Sequence, residues 1–216
     1  MSDTTQHVII LLPVLLLSMS LHEMMHAFAA NWLGDDTARL MGRLTINPLA
    51  HIDPFLTVAL PILTSISPPH IPFGAAKPVQ VNFSRLKHDE FGGAIVGFIG
   101  PLTNLFLALV ASLIFKDLNL PLGGIIYQVV GMAVLINLSF FLFNMIPWPP
   151  LDGSRLLYAF APEPLQELMQ SIERMGIMAL VVFFLLFWTV LAGPFSDLIT
   201  SLMNHLAPSF LQFLNI

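Results

Sequence analysis

No cysteine occurs among the 216 residues. That excludes thiolate metal sites, disulfides and a cysteine nucleophile, so a metal here would have to be held by nitrogen and oxygen. Charge is the next scarcity: 10% of the residues are Asp, Glu, Lys or Arg, against about 25% in a soluble domain. The net charge of −5 is spread thinly, and no block of Lys or Arg occurs, which argues against a nucleic-acid partner. A basic, cleavable leader is also missing. The chain starts Met-Ser-Asp-Thr-Thr-Gln-His, so the first apolar stretch is expected to be retained. There is no internal repeat and no second, soluble domain.

What abounds is apolar, 56% of the chain, in long runs. Residues 8–33 form the first; a helix of that length rises roughly 39 Å, enough for a hydrocarbon core of about 30 Å. Pro13 is placed to kink it, and Gly34-Asp35-Asp36 ends it. Segment 52–66 is apolar but short, and Pro54 and Pro61 interrupt it, which suits a re-entrant segment. A Pro-rich, charged connector follows at 67–90; its stretch 74–83 alternates enough to permit a small β element at a sheet edge. Residues 91–115 carry Gly93-xxx-Gly97 and Gly100-Pro101, small residues that let neighbouring helices approach. The run 123–147 bears no charge and closes at Pro147-Trp148-Pro149-Pro150. A short surface helix is expected around 163–171, and a last clear span at 175–193, stopped by Gly193-Pro194. In the tail Leu198, Ile199, Leu202 and Leu206 share one helical face, opposite Asp197, Ser201 and Asn204, which predicts an interfacial helix. The expectation is an all-α integral membrane protein, a polytopic helical bundle with about four to six transmembrane segments. It would form one domain over 1–216, with its core at 8–160 and accessory helices at 161–216.

Within the first run stands His22-Glu23-Met24-Met25-His26. Positions 22 and 26 are one helical turn apart, so both imidazoles face one way and can grip one zinc ion. Glu23 sits beside the first ligand, where a carboxylate can take a proton from a water on the metal. Two histidines and a glutamate are costly in lipid without a task. A catalytic zinc usually takes three protein ligands, and with no cysteine the third must be His, Asp or Glu. The candidate taken is Asp152, in Pro150-Leu151-Asp152-Gly153, which follows the charge-free run 123–147 behind its prolines. Asp152 has rival roles as the cap of a short helix at 153–160 or as a partner of Arg155.

Topology bears on this independently. If 52–66 is re-entrant, the C-terminal ends of spans 8–33 and 123–147 emerge on one side. Arg39, Arg43, Lys77, Arg85, Lys87, Arg155 and Arg174 fall on that same side, with Lys116 opposite. The positive-inside rule makes that side cytoplasmic. If 52–66 crossed fully, Asp152 would face away from the histidines and the charge bias would vanish.

His22-Glu23-xx-His26, Gly100-Pro101-xx-Asn104 and Asn144-xx-Pro147-xxx-Leu151-Asp152-Gly153 together resemble the site-2 protease family of intramembrane zinc metalloproteases. The run Gly42-Arg43…Asn47-Pro48-xx-His51-x-Asp53-Pro54 and the stretch Gly74-Ala75-Ala76-Lys77-Pro78-Val79 are similar to its prokaryotic members. The resemblance covers roughly residues 8–160, without room for the PDZ or CBS domains many members carry, as in a minimal version of the fold. It implies one zinc ion per chain held by His22, His26 and Asp152, with Glu23 as general base and later proton donor. It also implies that Asn144 positions substrate or stabilises an oxyanion; Asn144 has a rival role in satisfying backbone groups freed by Pro147. The substrate implied is a transmembrane protein or peptide, cut in or near the bilayer of the cell membrane, as in regulated intramembrane proteolysis. Stretch 78–83 is a candidate to accept an unwound substrate as an added strand. Asn104 is either a helix-packing hydrogen bond or a substrate contact, and His51 and Asp53 are either loop caps or outer-shell groups. Two rivals from other classes remain, a membrane metal transporter and a catalytically silent helix-binding scaffold. Glu23 discriminates, because a transporter has no need of a base beside a ligand.

Overall fold

The computed structural model describes residues 3–53, 57, 77–117 and 120–214. Helix α1 (Asp3–Trp32) runs through Pro13 without ending, and a single turn, α2 (Thr37–Leu40), follows its polar end. Helix α3 (Asp89–Asp117) has Asp89 and Glu90 in its first turn and Lys116 in its last, a charge order that suits the helix dipole. Helix α4 (Ile125–Asn144) contains no charged residue. Two amphipathic helices follow, α5 (Asp152–Phe160) and α6 (Glu163–Arg174). The chain ends in α7 (Ile177–Leu186), α8 (Ala192–Leu206) and a short α9 (Phe210–Leu214).

Four helical stretches are long and apolar enough to cross a membrane: Ile9–Trp32, Asp89–Asp117, Ile125–Asn144 and Met178–Leu206. Large apolar side chains such as Phe106, Leu113, Ile125 and Leu185 are exposed on them, which suits lipid as the surrounding solvent. Helices α1, α3 and α4 pack against one another, and α5 lies along α3. The polytopic helical bundle expected from the apolar runs is the architecture found.

Three expectations fare differently. Gly193-Pro194 does not stop the last span. A wider turn at Phe187–Leu191, with the Ala192 N–H bonded to the Phe187 carbonyl, joins α7 to α8 as one rod. Pro194 has no N–H to offer and its ring crowds the preceding turn; the widened turn before it accommodates both. The tail helix is accordingly not a separate interfacial helix: Ile199, Leu202, Met203 and Leu206 pack into the core beside α4, and the Ser112 hydroxyl donates to the Leu206 carbonyl at 2.6 Å. No strand occurs among the described residues, so 77–82 is not the β element expected there. Its Val79 and Asn82 N–H groups bond to carboxylates at Glu23 and Asp35 instead of to a neighbouring strand. The re-entrant segment expected at 52–66 lies outside the described residues, apart from 52, 53 and 57.

The Lys87 N–H donates to the Leu33 carbonyl at 2.8 Å, and the Asn82 N–H donates to Asp35 Oδ2 at 2.7 Å. Helix α1 therefore ends, and α3 begins, at the same end of the bundle. The main core lies at the opposite end, where Phe210 is fully buried beside Tyr127 and Phe115. A Cβ on Gly131 would stand 2.2 Å from the Phe210 ring, so only glycine admits that ring against α4.

Candidate metal centre

His22 and His26 project from the last third of α1, one turn apart, with ring centroids 4.6 Å apart and planes at 80°. Both are buried. Opposite them, Asp152 is the first residue of α5 and makes no capping bond there. Glycines on α3 let these pieces meet. A Cβ on Gly97 would lie 2.7 Å from Arg155 Cβ and 3.0 Å from the Asp152 carbonyl, so α5 rests in the notch that this glycine leaves. One turn on, a Cβ on Gly100 would lie 2.3 Å from His26 Nε2 and 2.8 Å from His22 Cε1. The spacing that the sequence offered for helix packing here makes room for a site.

Three atoms converge in that room. His22 Nε2 and His26 Nε2 are 3.0 Å apart, and Asp152 Oδ2 is 3.1 Å from the first and 3.3 Å from the second. A tetrahedral zinc has bonds of about 2.0–2.2 Å to such ligands, which sets the ligand–ligand edge at roughly 3.3–3.5 Å. The triangle is one face of that tetrahedron to within a few tenths of an ångström. Among the described residues this is the group of three or more potential ligands that could hold a metal ion.

The far sides of the rings strengthen the fit. His26 Nδ1 lies 2.7 Å from the Val96 carbonyl on α3, which can only accept, so Nδ1 carries the hydrogen. His22 Nδ1 bonds to Asn104 Oδ1, and Asn104 Nδ2 donates in turn to Asn137 Oδ1 at 2.8 Å. In the neutral rings both Nε2 atoms are then bare lone pairs facing a carboxylate oxygen. Three acceptors so close repel one another unless a cation or a proton sits between them, and hydrogen-bonded outer nitrogens are the usual support of ligating histidines.

Other singled-out residues fall into place with less consequence. Glu23 is half-buried, and its Oε2 accepts from the Val79 N–H at 3.0 Å, which ties the 77–82 strap to the motif helix. Asn144 ends α4, half-buried, and its Nδ2 donates to the Phe140 carbonyl at 3.0 Å. His51 is fully buried, and its Nε2–H donates to the Thr45 carbonyl at 2.9 Å. The Arg43 guanidinium donates to the Ala50 carbonyl, so His51 knots its own loop. The Asp53 main chain exchanges hydrogen bonds with Thr57. Asn104 makes the packing bond expected of it, and the same side chain orients His22. Asn137 and Ser18 were not singled out by sequence. A signal existed: Asn137 is an amide in the middle of a charge-free run, and Ser18 stands four residues before His22 on the same face.

The sequence profile of peptidase family M50 matches residues 121–188, which include α4, Asp152 and the start of the last span. The chain is 34% identical over 186 residues to the Bacillus subtilis protein named "Putative zinc metalloprotease YwhC", covering 83% of this chain and 80% of that one. It is 29% identical over 168 residues to "Putative zinc metalloprotease Rip2" of Mycolicibacterium smegmatis, covering 77% of this chain and 63% of that protein. To the Rip2 protein of Mycobacterium tuberculosis H37Rv it is 29% identical over 171 residues, spanning 64% of its length. No solved structure matches the chain.

Proposed function

The chain belongs to peptidase family M50, the site-2 protease family, and from that premise we propose that it is an intramembrane zinc endopeptidase cutting transmembrane or juxtamembrane segments of other membrane proteins. The observation that carries the reading is the triangle of His22 Nε2, His26 Nε2 and Asp152 Oδ2, with sides of 3.0, 3.1 and 3.3 Å. His22, His26 and Asp152 would hold one zinc ion, leaving a fourth position open. When bound there, zinc polarises a scissile carbonyl and brings the pKa of water down to about 7.

The chain's own groups do the rest. Glu23 stands beside the first ligand and takes the proton from the attacking water, then returns it to the leaving amine. The Val79 N–H holds the Glu23 carboxylate at 3.0 Å, fixing the direction in which it accepts. Asn144 steadies the developing oxyanion: one amide hydrogen is spent on the Phe140 carbonyl, and the second is the donor for that task. A substrate helix must unwind before cleavage, because its peptide bonds are occupied by its own hydrogen bonds. Arg39, Arg43, Lys77, Arg85 and Lys87 lie in the chain between the end of α1 and the start of α3, which are found at one end of the bundle. By the positive-inside rule that end, with the site close beneath it, faces the cytoplasm across the cell membrane.

The test is cleavage of a panel of transmembrane test substrates in liposomes by wild type and Glu23→Gln, with zinc measured in both. Loss of the base is expected to slow cleavage by about 10²–10⁴-fold and leave the zinc content unchanged. Equal cleavage by the variant, or a change in transmembrane metal flux alone, would overturn the hydrolase in favour of a transporter.

A further inference from the structure

A buried hydrogen-bond ring ties three helices together at the level of His22; its direction is set at the Ala133 carbonyl, 2.9 Å from Asn137 Nδ2, and backed more weakly by the Ser18 carbonyl, 3.5 Å from Asn104 Nδ2. Asn137 Nδ2 lies 2.9 Å from the Ala133 carbonyl on α4 and 2.9 Å from Ser18 Oγ on α1. A carbonyl only accepts, so that edge of the Asn137 amide must be its NH2, and its oxygen must face α3. There it accepts from Asn104 Nδ2 at 2.8 Å. The Asn104 oxygen is thereby turned to His22 Nδ1, which must carry a hydrogen to satisfy it. His22 Nε2 is left as the lone pair that a metal requires.

The ring has no slack. Asn104, Asn137 and Ser18 are 0%, 2% and 4% exposed, so no bulk water stands ready to repair a reversed amide. Turning Asn104 over would set its oxygen against the Asn137 oxygen and its NH2 against His22. His26 needs no such relay, since the Val96 carbonyl fixes its tautomer directly. His22 is the ligand whose state depends on distant side chains.

We propose that Asn137 is a positioning residue of the metal centre: through Asn104 it transmits the polarity of the Ala133 carbonyl to His22 and holds that ring in its metal-binding tautomer. The proposal rests on the metal-centre reading above. Asn137→Leu removes the nearer acceptor for Asn104, at 2.8 Å, and leaves its NH2 with the Ser18 carbonyl at 3.5 Å alone, so the hold on that amide is weakened. Asn137→Asp, protonated in this buried place, still accepts from Asn104 while its hydroxyl donates to Ala133. Ser18→Ala leaves the Ala133 carbonyl in charge.

The experiment titrates zinc alone into each metal-stripped protein against a competing chelator, with the cobalt(II) spectrum and thermal unfolding recorded alongside. Expected are a 10–100-fold loss of zinc affinity and an altered cobalt spectrum in Asn137→Leu, with Asn137→Asp and Ser18→Ala within about threefold of wild type. A folded Asn137→Leu with wild-type zinc affinity overturns the relay while leaving the centre standing. Wild type that takes up no zinc overturns the centre and the relay with it. Should Asn137→Leu not fold, Asn137→Ala takes its place, with the same loss expected and wild-type zinc affinity overturning the relay; a tenfold loss in Asn137→Asp or Ser18→Ala overturns it in either case.

Discussion

Gly100→Ala is the smallest change that reaches the centre. The added carbon would stand 2.3 Å from His26 Nε2, 2.6 Å from His26 Cε1 and 2.8 Å from His22 Cε1. Non-bonded carbons settle at about 3.5–4.0 Å, so one or both rings must retreat by roughly 1 Å. Neither ring is loosely held, because the Val96 carbonyl grips one and Asn104 the other. Ligand bonds tolerate displacements of only about 0.2 Å, so at least one is lost. The expected cost is about 100-fold or more in zinc affinity, close to 2.7 kcal/mol. Overpacking of this kind takes about 1–3 kcal/mol from the fold as well. Chelator competition on the purified variant reads the first quantity and thermal unfolding the second. Zinc binding within threefold of wild type in a folded Gly100→Ala protein would show that the rings do not meet over this glycine.

Val79→Pro deletes the N–H that holds Glu23; a hydrogen bond to a charged acceptor is worth about 1.5–3 kcal/mol, so cleavage should fall by about tenfold or more with zinc content unchanged. Val81→Pro is the control in the same peptide assay: a substrate added as a strand along 78–83 demands a loss at both positions, whereas orientation of Glu23 demands it at Val79 alone. Asp35 lies buried where α1 gives way to the loop. Burial pushes its carboxyl upward, but the Thr37 hydroxyl, the Asn82 and Thr37 amides and Arg85 outweigh this and hold it below the usual carboxylate range. A depressed folded-state pKa contributes stability above the unfolded value of about 3.9 and loses it as pH falls through the folded one. Asp35→Asn is therefore expected to cost about 1.5–3 kcal/mol near pH 7, with the gap to wild type narrowing below about pH 4; a gap independent of pH would exclude the charge as its cause.

The apolar runs disclosed four spans because lipid leaves little freedom: about 20 apolar residues in a row have few other uses. Their limits were less legible. Gly193-Pro194 is a sound stop signal in water, where a broken turn can bond to solvent. In this rod the turn at Phe187–Leu191 takes up the strain within the helix. The alternation at 77–82 looked like a strand because period alone does not reveal where N–H groups go; two of them go to carboxylates on the far side of a loop. The HExxH spacing was legible because both histidines lie on one helix, and Asp152, which the fold brings to them, drew notice because it stands close after a charge-free run. Asn137 was legible only as an amide out of place in a charge-free run; that it meets Asn104 and Ser18 across three helices is a matter of packing.

The triangle of donors joins the twenty-second residue of the chain to the hundred and fifty-second, and this has a consequence for biosynthesis. Translation proceeds at about 5–20 residues per second, so the two imidazoles wait roughly 7–26 s for their carboxylate partner to leave the ribosome. Throughout that interval the growing polypeptide carries Glu23, His22 and His26 but not Asp152, so the proposed centre is incomplete. An intramembrane peptidase of the kind proposed would thus be incompetent while its first three apolar spans are threaded into the bilayer, and would gain its full set of ligands only as the fourth, Met178–Leu206, is about to follow.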